Sequence, residues 1–214
     1  MALTSPQIEK TYTIGDQSAK KVTYVAFGDS LTAGVGVDEY THSYPYLFAQ
    51  TISKKNQQQI TLIPFAIPGA KTSDAIAVLL EGVVETKPDV ITMLFGVNDV
   101  HGGVSEEDFY TQYKAILEKL TKETNAVIYA INIPYIGAPS LILPPYNFYF
   151  DAQTKKFNTI LEKLAQEYPI KYVDLYTPTR ESAGKEEYYS SDLFHPSLIG
   201  YTLWAQILYD AFDK

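Results

Sequence analysis

The chain has 214 residues, of which 46% are hydrophobic and 20% charged, enough for one domain with a full core and unlike a disordered tail. Its 25 acidic residues exceed its 17 basic ones, and the resulting net charge of −8 argues against nucleic acid or an anionic membrane as the main partner. The absence of cysteine excludes disulfides, thiolate metal sites and cysteine nucleophiles, and no apolar run reaches the roughly 18 residues of a transmembrane segment.

The beginning of the chain indicates no targeting segment. Residues 1–20 are polar and predict a loose lead-in, and residues 21–214 are predicted to form a single domain. The segment Met1–Pro6 lacks both the basic start and the apolar stretch of a secretory signal. Two locations stay open, the cytoplasm and an extracytoplasmic compartment reached with a signal that has been removed. A monomer is the default oligomeric state.

Five segments after Lys21 have the composition of β-strands. Each is short, rich in β-branched, aromatic or aliphatic residues, and bounded by turn residues. Pro64 places the second of them near a sheet edge or a bulge, because proline has no N–H to donate. The predicted strands are Val22–Phe27, Ile60–Ile67, Asp89–Phe95, Ala126–Ile131 and Ile170–Leu175.

Helical patterns alternate with these strands. The clearest begins at Ser105, where three acidic residues fill the first turn and apolar residues recur on one face. Repeated β–α order predicts an α/β fold with a mostly parallel five-stranded sheet and helices on both faces. Functional residues are then expected in the loops at the carboxyl ends of the strands. The predicted helices are Ser43–Lys54, Thr72 or Ser73 to about Glu85, a helix from Ser105, Asp151–Tyr168 and Ser197–Phe212.

A glycine-rich turn, Gly28–Gly34, follows the first predicted strand. The dinucleotide-binding pattern requires a glycine where Glu39 stands, and no Gly-Lys-Ser/Thr follows to make a P-loop. The Gly-x-Ser-x-Gly elbow of the α/β-hydrolases is absent from the chain. Ser30 therefore remains a candidate nucleophile, although Gly-Asp-Ser alone is also an ordinary turn.

The next two strand exits carry groups that can stabilise an anion. Gly69 precedes a predicted helix, where its N–H can face a negative charge. Asn98 lies in the turn Gly96-Val-Asn-Asp99, and its side-chain amide can donate to an oxyanion. Taken singly, both segments are also plain turns.

A histidine with a nearby acid precedes the last predicted helix. Asp192 stands three residues before His195, so a single turn brings the carboxylate to the ring and holds one tautomer. A histidine held in this way can act as the base for a serine hydroxyl. The alternative is a His-Pro helix entry in which Asp192 is only a turn residue.

Together, these segments resemble the SGNH (GDSL) hydrolase family. The matching motifs are Gly28-Asp-Ser-Leu, Gly96-x-Asn-Asp and Asp192-x-x-His, and the resemblance extends from about Val22 to the C-terminus. One position differs, because the family's second motif often opens with asparagine where this chain has Pro64.

The resemblance implies a three-layer α/β/α sandwich of flavodoxin-like topology and catalysis without a cofactor. His42 and His101 have no metal-ligand spacing with His195, so no metal site is expected either. The resemblance implies that the nucleophile is Ser30 and that the acid and base are Asp192 and His195. It implies an oxyanion hole formed by Ser30, Gly69 and Asn98.

An apolar segment follows the fourth predicted strand and is expected to overhang the site. Residues 133–150 contain four prolines and many aromatic residues, which favours a wall or lid for an acyl or aryl group, although such a loop can also simply pack onto the domain. The candidate substrate contacts are Asp29, His101, Tyr135, Ile136, Leu141 and Tyr146.

The resemblance favours a carboxylesterase for short to medium acyl chains, acting on a small-molecule, lipid or glycan ester. A carbohydrate O-acetylesterase, a lysophospholipase or a thioesterase stays open within the same family. Two further classes also stay open, namely an acyltransferase and a binding module that has lost its activity.

Overall fold

The computed structural model describes residues 5–135 and 137–213, and in that part of the chain six strands form one sheet. The spatial order is β1-β3-β2-β4-β5-β6, and all neighbouring pairs are parallel except β1 with β3. The strands are β1 (Tyr12–Ile14), β2 (Lys20–Gly28), β3 (Gln58–Ala66), β4 (Val90–Leu94), β5 (Val127–Ile131) and β6 (Lys171–Val173).

Helices cover the sheet on both faces. α1 packs against α8, and α5 packs against α6. Two serines start their helices by accepting a backbone N–H, Ser105 from Asp108 and Ser197 from Gly200. The helices are α1 (Tyr44–Asn56), α2 (Thr72–Asp74), α3 (Leu80–Glu85), α4 (Val97–His101), α5 (Glu106–Glu123), α6 (Tyr146–Glu167), α7 (Tyr176–Glu181) and α8 (Leu198–Phe212), with a π-helical turn at Ala75–Leu79 between α2 and α3.

The core of the sheet is β2 with its neighbour β4. Residues Tyr24–Phe27 are completely buried, and all of β4 is buried as well. Strands covered on both faces need an apolar run rather than alternation, and both segments have one, interrupted in β4 only by Thr92, whose hydroxyl hydrogen-bonds the Tyr24 hydroxyl. This pattern is the physical reason that the sequence located these strands correctly.

The lead-in contains a short strand, β1, so the sheet has six strands in the described residues and not the five that were predicted. Tyr12–Ile14 pairs antiparallel with Ile60–Leu62 of β3. The Tyr12 ring stacks on Tyr40 at 5.0 Å between centroids and meets Tyr46 edge-on at 5.7 Å. Three residues are too few for a strand pattern to stand out, and these aromatic contacts are made with residues distant in sequence.

The helix predicted at Asp151 begins five residues earlier, at Tyr146. Its first turn, Tyr-Asn-Phe-Tyr-Phe, is aromatic and follows Pro144 and Pro145, so it has the composition of a loop. Pro145 is the N-cap residue, which is consistent with proline's tolerance at the start of a helix.

The strand order defines where a site is expected. Without β1, the parallel strands follow the flavodoxin-like order, in which the chain direction across the sheet reverses between β2 and β4. Ligands of such folds bind in the crevice at that switch point. Here the turns that contain Ser30 and Asn98 emerge from these two strands. None of the helices in the described ranges is long and apolar enough to cross a bilayer.

Candidate active site

Ser30 lies in a tight turn directly after β2. The turn is closed by two backbone hydrogen bonds, from Ala33 N–H to the Asp29 carbonyl at 2.9 Å and from Val35 N–H to the Ser30 carbonyl at 3.0 Å. Gly28 permits this geometry, because a Cβ there would lie 2.7 Å from the Leu94 carbonyl oxygen. The turn holds the partly exposed Ser30 at the switch point.

His195 joins Ser30 to Asp192. Its Nε2 lies 3.0 Å from Ser30 Oγ, and its Nδ1 lies 2.6 Å from Asp192 Oδ2. The three side chains therefore form one continuous chain of hydrogen bonds, although Ser30 and His195 are far apart in sequence. The structure brings together the serine, histidine and aspartate that the motifs indicated.

The loop around Asp192 fixes the orientation of its carboxylate. Oδ1 accepts three hydrogen bonds, from Ser190 Oγ at 2.8 Å and from the backbone N–H groups of Phe194 and His195 at 2.9 Å each. Leu193 takes a left-handed conformation, with φ of +59°, to close this turn. The other oxygen, Oδ2, is thereby directed at the imidazole.

The electrostatics of Asp192 favour its ionised form. Burial by itself raises the pKa of Asp192, but the hydrogen bond from His195 and those from the loop outweigh it and leave the pKa below its usual range. An ionised carboxylate at Nδ1 favours the tautomer with the proton on Nδ1. Nε2 is then free to accept the hydroxyl proton of Ser30.

Asn98 is anchored on two sides. It lies in the first turn of α4, a helix that begins directly after Gly96. The φ of Gly96 is +124°, a conformation that favours glycine. Its side-chain Nδ2 donates to Asp29 Oδ2 at 3.1 Å and to the Ala70 carbonyl at 3.0 Å. These bonds connect the turns that carry Ser30, Gly69 and Asn98.

Gly69 is exposed and has φ of +84°. A Cβ at this position would meet nothing within 4 Å, so the residue faces open space. The backbone strain, rather than crowding, is what favours glycine here. Its position beside Ala70 places it next to the Asn98 amide.

Asp29 does not fit the predicted substrate contact. It is completely buried, and its oxygens accept from Leu31 N–H at 3.0 Å and from the Asn98 amide. Burial raises the pKa of Asp29 to about 7, with a further contribution from the nearby Asp99. Motif residues in a loop are usually exposed, so this burial was not predictable from the motif. The Asp29 carboxylate instead contacts the Asn98 amide.

The other predicted substrate contacts differ in their surroundings. His101 packs edge-on against Phe150, at 4.7 Å between centroids, and lies 5.4 Å from Phe194, whose ring is next to His195. Contact with these rings desolvates the imidazole and lowers the pKa of His101. Leu141 and Tyr146 are exposed, and Ile136 lies outside the described residues.

A cavity lies beside the triad, and most of its lining was not predicted from the sequence, although Tyr135 and its neighbours were. Three of its lining residues, Leu31, Val97 and Phe194, are the chain neighbours of Ser30, Asn98 and His195. Tyr135 lines this cavity and also a second one, formed with the start of α6. Adjacency to the motif residues could have indicated Leu31, Val97 and Phe194, whereas nothing local indicates the opposite wall, which comes from α7 and α8.

Known proteins match both the sequence and the fold. A model of the GDSL-like Lipase/Acylhydrolase family matches residues 26–203. The chain is 29% identical over 208 residues to the spore germination lipase LipC of Bacillus licheniformis, a match that covers 86% of this chain and 93% of that protein.

Solved structures have the same fold. The lipase Lip_vut3 from a goat rumen metagenome has a TM-score of 0.73 and 27% identity, with 89% of this chain and 97% of that chain covered. The acetyl xylan esterase AlAXEase has a TM-score of 0.72 and 23% identity, with 89% and 99% covered.

The fold, the site and these matches define a hydrolase that acts on ester bonds. Its sheet with flanking helices confirms the α/β sandwich predicted from the sequence. The chain belongs to the GDSL-like Lipase/Acylhydrolase family, as its motifs indicated. In the part of the chain that the structure describes, no three histidine, aspartate or glutamate side chains cluster as metal ligands.

Proposed function

We propose that Ser30, His195 and Asp192 are a catalytic triad and that the protein hydrolyses carboxylic esters through an acyl-enzyme. The observation that carries this proposal is the continuous chain of hydrogen bonds from Ser30 Oγ through the imidazole to the Asp192 carboxylate. A serine hydroxyl is a weak nucleophile until an adjacent base removes its proton. Here the base is oriented and its acceptor nitrogen faces the hydroxyl.

Acylation begins when Ser30 Oγ attacks the ester carbonyl carbon. The hydroxyl proton passes to His195 Nε2, and Asp192 stabilises the imidazolium that forms. The C–O double bond opens, and its electron pair stays on the oxygen as an oxyanion. When the intermediate collapses, the alkoxide leaves with the proton from His195, and the acyl group remains on Ser30.

The oxyanion is held by the backbone N–H groups of Ser30 and Gly69 and by the Asn98 amide. Both Nδ2 protons of Asn98 already have acceptors, Asp29 and the Ala70 carbonyl. Asn98 therefore exchanges the Ala70 carbonyl for the oxyanion and keeps its bond to Asp29. Water then attacks the acyl-enzyme with His195 as base, which releases the acid and restores Ser30.

The favoured substrates are esters with short to medium acyl chains. Apolar and aromatic walls beside the triad, from Leu31, Val97 and Phe194, support an apolar acyl group. An acetylated carbohydrate is the second candidate, because exposed rings such as Tyr146 can stack on sugars and because AlAXEase shares the fold. Phospholipid or thioester substrates fit the same chemistry less specifically.

The proposal is tested with p-nitrophenyl esters from acetate to laurate and with an organophosphonate inhibitor. We expect hydrolysis with the highest kcat/KM at short to medium chains, and loss of activity as the phosphonate modifies Ser30 at one site per chain, identified by peptide mass. Modification at another serine, or full activity after Ser30 has reacted, contradicts the triad. Transesterified product that dominates in water–alcohol mixtures indicates acyl transfer instead.

Tyr135 is expected to limit the length of the acyl chain. Tyr135 is a lining residue that the two cavities share. It is held in place by Arg180, whose guanidinium lies 4.7 Å from the ring centroid, and by Thr179, whose hydroxyl accepts its backbone N–H. In Tyr135→Ala the cavities merge, so we expect the decanoate-to-butyrate ratio of kcat/KM to rise by about tenfold.

The control for this prediction is Tyr135→Phe, which keeps the ring and removes only the hydroxyl. Its chain-length profile is expected to match that of the wild type. An unchanged chain-length profile in Tyr135→Ala, with normal activity on butyrate, would show that acyl chains do not reach Tyr135.

A further inference from the structure

The segment after β5 is unusual because it contains no charged residue. Residues 132–150 contain no charged side chain, whereas 20% of the whole chain is charged. It carries exposed apolar side chains between 42% and 68% accessible, which we name the aromatic patch. Monomeric proteins rarely expose such groups close together unless the surface binds something. The aromatic patch consists of Leu141, Leu143, Tyr146, Phe148 and Tyr149.

A row of rings connects the aromatic patch to the candidate triad. Tyr149 meets Phe150 edge-on at 5.5 Å between centroids, and Phe150 meets His101 at 4.7 Å. His101 lies 5.4 Å from Phe194, which lies 5.0 Å from the ring of His195. The row therefore runs without a break from Tyr149, in the aromatic patch, to the histidine of the candidate triad.

The charges at the border of the aromatic patch are compensated. Asp151, the first charged residue after it, lies 2.8 Å from Lys155 Nζ and 3.9 Å from Arg180 Nε. It also accepts a hydrogen bond from the Tyr176 hydroxyl. The carboxylate that follows the aromatic patch is thus paired with cationic side chains and does not face the patch as an unpartnered charge.

We propose that the aromatic patch binds the surface of an aggregated lipid ester without net charge, such as an emulsion droplet or a zwitterionic bilayer, and presents that substrate to the crevice. This inference rests on the proposed esterase function and extends it to substrates that are not dissolved. Tyrosine and phenylalanine side chains suit the boundary between water and acyl chains. The net charge of −8 opposes an anionic surface.

A lipid surface fits this location better than a protein partner does. A second copy or another protein seated on the aromatic patch would also cover the mouth of the crevice, because the row of rings leads into it. A substrate surface supplies ester molecules to the same place. The occupant is accordingly the substrate phase itself.

The test compares dissolved and aggregated esters in the double variant Leu143→Ser/Phe148→Ser. The matched control is Val127→Ser, an apolar residue 45% exposed at the amino end of β5, the end of the strand opposite the site. We expect the double variant to lose about tenfold in rate on emulsified tributyrin and less than twofold on dissolved p-nitrophenyl butyrate. Val127→Ser is expected to match the wild type on both.

Binding is measured separately with protein that cannot turn over substrate. Ser30→Ala is expected to co-sediment with phosphatidylcholine vesicles and much less with phosphatidylglycerol vesicles, and addition of Leu143→Ser/Phe148→Ser is expected to abolish this binding. If the wild type hydrolyses no ester, the proposed function fails, but vesicle binding still decides the role of the aromatic patch.

Three results overturn the inference. The first is an equal loss on dissolved and emulsified ester, which places the effect in catalysis or folding. The second is vesicle binding that survives in the double variant. The third is a wild-type dimer, seen by light scattering, that the double variant dissociates, which makes a second copy the occupant.

Discussion

The Ser30→Ala variant is expected to hydrolyse esters at least about 10⁴-fold more slowly than the wild type, with little change in melting temperature. Only the hydroxyl group is removed, and Ser30 is partly exposed, so the substitution takes little packing from the core. The measurement is kcat for p-nitrophenyl butyrate beside a thermal unfolding scan. A variant with even a tenth of the wild-type kcat would place the nucleophile elsewhere.

Asp192→Asn extends this prediction to the whole triad. An amide nitrogen facing Nδ1 favours the tautomer with the proton on Nε2, which can no longer accept the Ser30 proton. We expect kcat to fall by about 10³–10⁴-fold. Because the three residues act as one unit, the double variant with Ser30→Ala should be no slower than Ser30→Ala alone. Additive losses would show that Asp192 supports activity by another route.

The second large effect is expected from Asp29→Asn, which should be less active and more stable than the wild type. A carboxylate can accept from both Leu31 N–H and the Asn98 amide, whereas an asparagine side chain has only one oxygen. Asn98 then loses its anchor. Loss of an oxyanion donor typically lowers kcat by about 10²–10³-fold, and this is the loss we expect, with a smaller change in KM.

The stability gain follows from the direction of the pKa shift. Burial raises the pKa of Asp29 to about 7 in the folded protein, well above its ordinary value, so its contribution to stability is greatest in acid and is lost as the pH rises through 7. At pH 8 the neutral asparagine avoids a cost of about 4 kcal/mol at most. We therefore expect the Tm of Asp29→Asn to exceed that of the wild type at pH 8, and the difference to shrink at pH 5.

Activity and stability together separate positioning from a merely structural role. A structural substitution lowers Tm and kcat in parallel, whereas Asp29→Asn is expected to move them in opposite directions. In the wild type, kcat/KM should also fall as the pH drops through 7 and Asp29 takes up a proton, and this contribution to the acid limb is absent from Asp29→Asn. The comparison variant is Asn98→Ala, for which a similar loss of kcat is expected without the gain in Tm.

The sequence was sufficient for the elements whose signals are local. The apolar runs of β2 and β4 and the capped start of α5 depend on residues next to one another, and they were located within a few positions. The candidate site residues followed from short motifs at strand exits, which lie at one edge of a parallel sheet. Distance along the chain did not matter for them, because the fold class already places those exits together.

Features that depend on distant packing were not predictable. β1 exists because Tyr12 finds Tyr40 and Tyr46, and no local pattern marks a three-residue strand. Asp29 stands beside the candidate nucleophile in sequence, yet its side chain turns into the core, where Asn98 meets it. The row of rings from Tyr149 to His195 likewise joins segments that only the folded chain brings side by side.

The two edge strands of the sheet affect how readily the protein aggregates at high concentration. β1 and β6 are three residues long, and Lys171 stands exposed at the start of β6. β1 covers Ile60–Leu62 only, and the uncovered stretch of β3 contains Pro64, which has no N–H to offer an incoming strand. Short, charged or proline-interrupted edges give a neighbouring molecule little to extend. Strand-to-strand aggregation therefore requires that β1 or β6 first detach, which makes the margins, rather than the buried centre, the place to engineer resistance to fibril formation.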